Sequence, residues 1–265
     1  MTLKDILISG KLTISEGGGG GGTGVSAWMD APEPTDSKLH LWVCIDDDSL
    51  KFVELQVNGT GNIDWGDGET ESNVNLRTSH TYAAIGVYEI VVDGSITLPN
   101  NNQIITAGGY PGLYTQRRII RRAYIPSSIG DIGNSKFVNC YLLEKATLNN
   151  TGAIGISVFE SDSGLKEIVI GDNVTSISST AFRYCYAVKK VVVGASVSSI
   201  GINAFNSVKA YEWHFKPTTP PTLTNMNAFG STESSAIFYV PAESVEAYKT
   251  ANIWSEYASR IQAEP

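Results

Sequence analysis

Five phenylalanines recur along the second half of this chain, Phe137, Phe159, Phe182, Phe205 and Phe229, at intervals of 22, 23, 23 and 24 residues. Five residues before each of the first four stands an isoleucine, Ile132, Ile154, Ile177 or Ile200. A short apolar alternation follows each ring: ATL (146–148), IVI (168–170), VVV (191–193), WHF (213–215) and FYV (238–240), with AYI (123–125) ahead of the first. One coil of this length cannot bury its own apolar face, whereas stacked coils place like over like and share a continuous core. The expected architecture is a short solenoid whose strands lie parallel, about 4.8 Å apart.

That register assigns faces. Side chains alternate across a strand, so the first and third residues of each triplet point inward. The middle ladder, Tyr124, Thr147, Val169, Val192, His214 and Tyr239, points outward. So does the preceding ladder, Arg122, Lys145, Glu167, Lys190, Glu212 and Ile237. From Lys145 to Glu212 the signs alternate between neighbouring strands, which stabilises adjacent rungs. The alignment was set on apolar residues alone, so the charge order supports it independently.

Upstream, residues 25–98 read as strands of period two: Leu39, Leu41, Val43, Ile45; Val53, Leu55, Val57; Tyr88, Ile90, Val92. The segment WGDGE (65–69) is a tight turn in which Gly66 and Gly68 permit positive φ. The motifs NIDWGDGE (62–69) and SHTYAAIGVYEIVV (79–92) resemble the polycystic-kidney-disease (PKD)-type immunoglobulin-like domain. The resemblance implies a β-sandwich in which Trp65, Asp67, His80 and Tyr82 are structural.

The segment VTSISSTAFRYCYAVKKVVVGASVSSIGINAF (174–205) is similar to BspA-like leucine-rich repeats, and PPTLTNMNAF followed by IFYVPAESVEAYKTANIWSEYASRI resembles the usual ending of that class. Val245, Tyr248, Trp254, Tyr257 and Ile261 fall at helical spacings and can cover the last coil. The fold expected is mainly β, a PKD-type sandwich followed by a BspA-like leucine-rich repeat solenoid with a C-terminal helical cap. Its segments are an arm and glycine tether (1–24), the sandwich (25–98), a connector and N-terminal cap (99–122), the solenoid (123–241) and the helical cap (242–265).

Function is less legible. The net charge of −8 argues against a general nucleic-acid binder, which needs clustered cations. No apolar stretch approaches the roughly 18 residues of a membrane span. The N-terminus lacks the pattern of a secretory signal, its apolar run being broken by Asp5 and Lys11. Leu3, Ile6 and Leu7, followed by the run Gly17–Gly22, read either as a weakly ordered terminus or as an anchor (1–16) to a virion or other assembly partner. Cys44, Cys140 and Cys185 form no disulfide or zinc pattern. Cys140 and Cys185 sit two rungs apart, about 9.6 Å, beyond disulfide reach, as buried filler.

No HExxH, GxSxG, phosphate loop or Ser/His/Asp arrangement is present, and no cofactor or metal is expected. Asp46, Asp47, Asp48, Asp64 and Asp67 have the chemistry for calcium but not an EF-hand spacing, and solvated loop acids are the favoured reading. Arg117, Arg118, Arg121 and Arg122 suit an acidic partner or, as the favoured reading, a solvated first rung. Tyr141, Arg183, Tyr184 and Tyr186, in loops after the repeat Phe, suit sugar stacking or protein contact, against a plain scatter of surface residues. The outward residues Val169, Val192, His214 and Tyr239 form a face to be covered by the sandwich or used for binding.

The reading is a non-enzymatic, surface-exposed recognition or adhesion protein that binds a bacterial surface glycan or protein. Its carrier is a phage or prophage virion (tail or fibre). The alternatives are a bacterial cell-surface adhesin and a carbohydrate-binding accessory module.

Overall fold

A computed structural model of the chain describes residues 32–98, 103–107 and 119–265. Arg117, Arg118 and the arm at 1–16 with its glycine tether lie outside the described residues. The chain is mainly β. The first strands are β1 (Leu39–Ile45), β2 (Phe52–Asp64), β3 (Thr70–Thr81), β4 (Gly86–Thr97) and β5 (Ile105–Ala107). The repeats then supply one strand per coil: β6 (Ile120–Ile125), β7 (Lys145–Leu148), β9 (Glu167–Ile170), β11 (Lys190–Val193), β13 (Glu212–Phe215) and β15 (Ile237–Val240). Shorter strands alternate with them: β8 (Ala153–Ile154), β10 (Ser176–Ile177), β12 (Ser199–Ile200) and β14 (Thr222–Leu223).

The long repeat strands pair in parallel from β6 to β15 in the register expected from the apolar alignment: Lys145 opposes Glu167, Glu167 opposes Lys190, and Lys190 opposes Glu212. Burial alternates along β9, β11, β13 and β15, with Ile168 and Ile170, Val191 and Val193, Trp213 and Phe215, and Phe238 and Val240 inside. The short strands form a second parallel ladder in which Ile154, Ile177, Ile200 and Leu223 stand in line. Isolated bridges extend it through Ile132 to Leu98.

Between these two ladders the phenylalanines stack. Centroid distances from Phe137 to Phe159, Phe182, Phe205 and Phe229 are 4.9, 5.2, 5.2 and 5.7 Å in turn, and no step is tilted by more than 6°. Each step joins the backbone as well. The amides of Phe137, Phe159, Phe182 and Phe205 donate to Val158, Ala181, Ala204 and Ala228 carbonyls on the next coil at 2.7–2.8 Å. The buried amide of each of these rings is therefore satisfied by the next coil, as a low-dielectric interior requires.

The N-terminal strands join this sheet edge to edge. β1 pairs antiparallel with β4 on one side and with β6, the first repeat strand, on the other. One twelve-stranded sheet results, whose main path runs from the C-terminal strand through the repeats to β1, β4, β2 and β3. The apolar face is continuous too, since Leu41, Val43, Ile90 and Ala123 belong to the same cluster as the repeat phenylalanines. Gly59 and Gly94, at φ +132° and +140°, let β2 and β4 approach where a Cβ on Gly59 would meet the Ser95 carbonyl oxygen.

Two expectations are corrected here. Arg121 and Arg122 are buried rather than solvated, and Tyr124 is buried with them. The segment 32–37 crosses the outer face of β6 and β7. It places Glu33 against Arg122 (3.1 Å) and Lys145 (2.5 Å), while Ser128 Oγ donates to the Ser37 carbonyl at 2.7 Å. Glu33 thus neutralises two cations that the register puts side by side. Arg122 also lies 4.4 Å over the Trp42 ring, in a small outer cluster with Cys44, Val87 and Tyr124.

At the other end the helical spacing stops short of Ile261. A helix α1 (Val245–Thr250) and a 3-10 segment (Trp254–Arg260) are followed by strand β16 (Ile261–Ala263), parallel to β15. The open edge of β15 needs backbone partners, and a helix could not supply them. Trp254 and Tyr248 cover the ring stack, Trp254 edge-on to Phe215 at 5.1 Å. Their polar atoms donate to the Pro221 and Pro217 carbonyls at 2.8 Å.

Candidate functional site

The turn after each phenylalanine is a rigid ladder. The second residue past the ring is left-handed in every coil: Asn139, Ser161, Tyr184, Ser207 and Ser231 have φ between 57° and 66°. In that conformation the amides of Asn139, Ser161, Tyr184 and Ser207 reach the next coil and donate to Glu160, Arg183, Asn206 and Gly230 carbonyls at 2.7–3.0 Å. Two residues further on, the amides of Tyr141, Ser163 and Tyr186 turn back onto the carbonyls of Asn139, Ser161 and Tyr184 at 2.9–3.1 Å. The side chains of Tyr141, Ser163 and Tyr186 are thereby presented to solvent from fixed backbone.

Tyr141 and Tyr186 are exposed, by 43% and 50% of their surface. Tyr184 stacks on Tyr186 at 5.8 Å and 27°. The Arg183 guanidinium lies 4.3 Å from the Tyr184 ring, its Nη2 donates to Tyr184 Oη, and Glu160 holds its other side at 3.6 Å. Arg183, Tyr184 and Tyr186 thus form one layered unit, with Tyr141 two coils away on the same edge.

Val169, Val192, His214 and Tyr239 occupy a different surface, the outer face of the long repeat strands, and all four are half-buried. The N-terminal strands join this sheet at its β6 edge. His214 stacks on Tyr239 at 5.1 Å, and Glu264 sits 2.7 Å from its Nδ1. Around Val192 and His214 a shallow cleft of about 490 Å³ is walled by Lys190, Lys216, Pro241 and Glu264. Glu264 and Lys216 escaped the sequence reading because neither belongs to a repeat strand; Lys216 is held by Asp172 at 3.1 Å from two coils away.

A stripe missed from the sequence is Ile156, Ile202 and Met226, each exposed and each three residues before its phenylalanine. Aligning that column beside the ring column would have found it.

The acids considered for calcium have structural tasks. Asp47 accepts from the Ser49 amide, Asp64 from the Gly66 amide, and Asp67 lies 2.8 Å from His80 Nε2. Trp65 stacks on His80 at 4.9 Å, and Tyr82 Oη donates to the Trp65 carbonyl at 2.9 Å. Among the described residues no group of three His, Cys, Asp or Glu is placed to hold a metal. The three cysteines are buried and none is in a disulfide. No helix among the described residues is long and apolar enough to cross a membrane.

Residues 94–212 match the family model of the BspA type leucine-rich repeat region, in six copies. The matched span opens within β4, and Leu98, just past that strand, bridges Ile132 and so enters the short-strand ladder before the first phenylalanine. No curated protein matches the chain.

Proposed function

We propose that this chain is a non-enzymatic recognition protein that displays a repeat surface to a bacterial envelope. BspA-type repeats are a surface- and adhesion-type family, typically without catalytic activity. The observation that carries the reading is the loop ladder, in which backbone hydrogen bonds from coil to coil fix a row of exposed side chains. A pre-ordered surface binds without first losing conformational freedom. In this reading the repeats form a solenoid, and the strands ahead of them are a PKD-type immunoglobulin-like sandwich whose Trp65, Asp67, His80 and Tyr82 cluster braces one end.

The carrier we favour is a phage or prophage particle, with the arm at 1–16 and its glycine tether as the attachment to the virion; a bacterial cell surface is the alternative. The binding residues we assign are Tyr141, Arg183, Tyr184 and Tyr186 on the loop edge and Val169, Val192, His214 and Tyr239 on the strand face. The test is retention of bacterial envelopes by the immobilised chain. Wild type is expected to retain them. Val192→Glu, or Tyr141→Ala combined with Tyr186→Ala, is expected to abolish retention, which says which surface is used. A folded wild-type chain that retains no envelope material sinks the reading.

A further inference from the structure

Tyr184 is out of place in its column. The other left-handed positions hold Asn139, Ser161, Ser207 and Ser231, small polar residues. A left-handed backbone costs L-residues about 1–2 kcal/mol, a cost the serines share, but a bulky residue there is the outlier. Nothing in the coil calls for it, since Asn and Ser make the same two backbone hydrogen bonds on adjacent coils. What tyrosine adds is a ring, braced by Arg183 on one side and stacked on Tyr186 on the other. Strain retained where packing does not need it points to use.

The neighbouring geometry says what kind of use. Tyr141 and Tyr186 stand at equivalent positions two coils apart, with Ser163 on the coil between. The ring stack below advances by 4.9 and 5.2 Å over those two steps, so the platforms are roughly 10 Å apart. That matches the distance between alternate sugars, i and i+2, of an extended β-1,4-linked glycan. Pyranose rings offer apolar C–H faces to tyrosine and hydroxyls at their edges, and the edges here would meet Ser163, Ser161 and the Arg183–Glu160 pair.

We propose that this loop edge binds an extended β-linked glycan across the coils, alternate pyranose rings stacking on Tyr141 and Tyr186. The assignment rests on the recognition reading above and gives it a ligand class. A proline-rich peptide also stacks on aromatic rows. Proline has no N–H, however, so such a peptide offers the Ser161 and Ser163 hydroxyls acceptors only, whereas sugar hydroxyls both donate and accept.

The test uses the full chain and three probes in titration calorimetry: β-1,4-linked hexasaccharides of glucose and of N-acetylglucosamine, their disaccharides, and an oligoproline peptide. A hexasaccharide is expected to bind. Tyr186→Ala should weaken it by about tenfold or more, Tyr186→Phe should keep it, and Tyr141→Ala should weaken the hexasaccharide while leaving the disaccharide unchanged. An unchanged melting temperature in Tyr186→Ala separates lost contact from lost fold. Envelope retention with no hexasaccharide binding overturns the glycan assignment and leaves the recognition reading intact. Oligoproline binding in place of sugar also overturns it. Hexasaccharide binding without envelope retention sustains the site and removes the surface role.

Discussion

The rings of Phe159 and Phe182 lie 5.2 Å apart with planes 1° from parallel, at the middle of a stack of five. Removing one leaves a void that coils pinned by hydrogen bonds above and below cannot collapse to fill. Phe182→Ala is expected to cost about 3–5 kcal/mol, read as a shift in the urea midpoint. Because β1 and β6 share one sheet, the loss should appear as a single transition seen equally by the tryptophans of both halves. A separate transition for the N-terminal strands would contradict one cooperative unit.

Asp162 stands on the same column as Cys140 and Cys185 and is fully buried. Its Oδ1 accepts from the Cys140 amide at 2.6 Å, and Oδ2 has no hydrogen-bond partner among the described residues. Burial pushes its carboxyl well above the usual carboxylate range, with only the Cys140 bond opposing. An acid raised in the folded state holds its proton longer there than when unfolded, so stability falls as pH rises from about 4. Asp162→Asn keeps the hydrogen bond and removes the charge. It should raise stability at pH 7 by about 1–3 kcal/mol, with the gap closing as pH falls towards 4; an equal gap at both pH values would refute this.

Lys136 is buried one residue before Phe137, in a column otherwise filled by Val158, Ala181, Ala204 and Ala228, and its Nζ has no hydrogen-bond partner among the described residues. Burial, aided by Arg77, pulls its ammonium down to about 8. The unfolded chain then binds more protons between pH 8 and the normal lysine value, so stability rises over that window. Lys136→Met should be more stable than wild type at pH 7 and should lose that rise. Thermal melts at pH 7 and pH 10 decide it.

His40 bridges two carboxylates, Asp36 at 2.8 Å from Nε2 and Glu89 at 2.8 Å from Nδ1, and lies against the Trp42 and Tyr124 rings. Burial alone would lower its pKa, but the bonds and charges of Glu89 and Asp36 outweigh it and the net shift is upward. A raised histidine contributes stability below about 6.5 and loses it as pH climbs through the native value. Hydrogen exchange in segment 32–37 should therefore quicken between pH 6 and pH 9 beyond the intrinsic rate. His40→Gln should flatten that dependence. Unchanged protection in wild type across the range would show that Glu33 alone secures the segment.

Tyr184→Asn places a residue suited to the left-handed region in a column that already uses one. A rise in stability of about 1 kcal/mol is expected, together with loss of whatever affinity the Tyr184–Tyr186 stack supports. A variant both less stable and fully binding would show that the ring serves packing alone.

Chain periodicity alone carries the repeat. Spacing of Phe and Ile, the alternating triplets and the sign order of Lys145, Glu167, Lys190 and Glu212 fixed the coil, its register and its inward and outward faces, because each follows from chain periodicity of 2 or about 23 residues. Of the candidate site, the tyrosines were legible as a loop column, but their left-handed backbone and the Arg183 layer were not. Long-range contacts alone reveal that β1 docks on β6, that segment 32–37 covers Arg122, that Ile261 turns from helix to strand, and that Asp162 Oδ2 and Lys136 Nζ are buried with no hydrogen-bond partner among the described residues. These depend on contacts between residues distant in sequence, where strand edges and buried charges find their partners in space, and no local period encodes that choice.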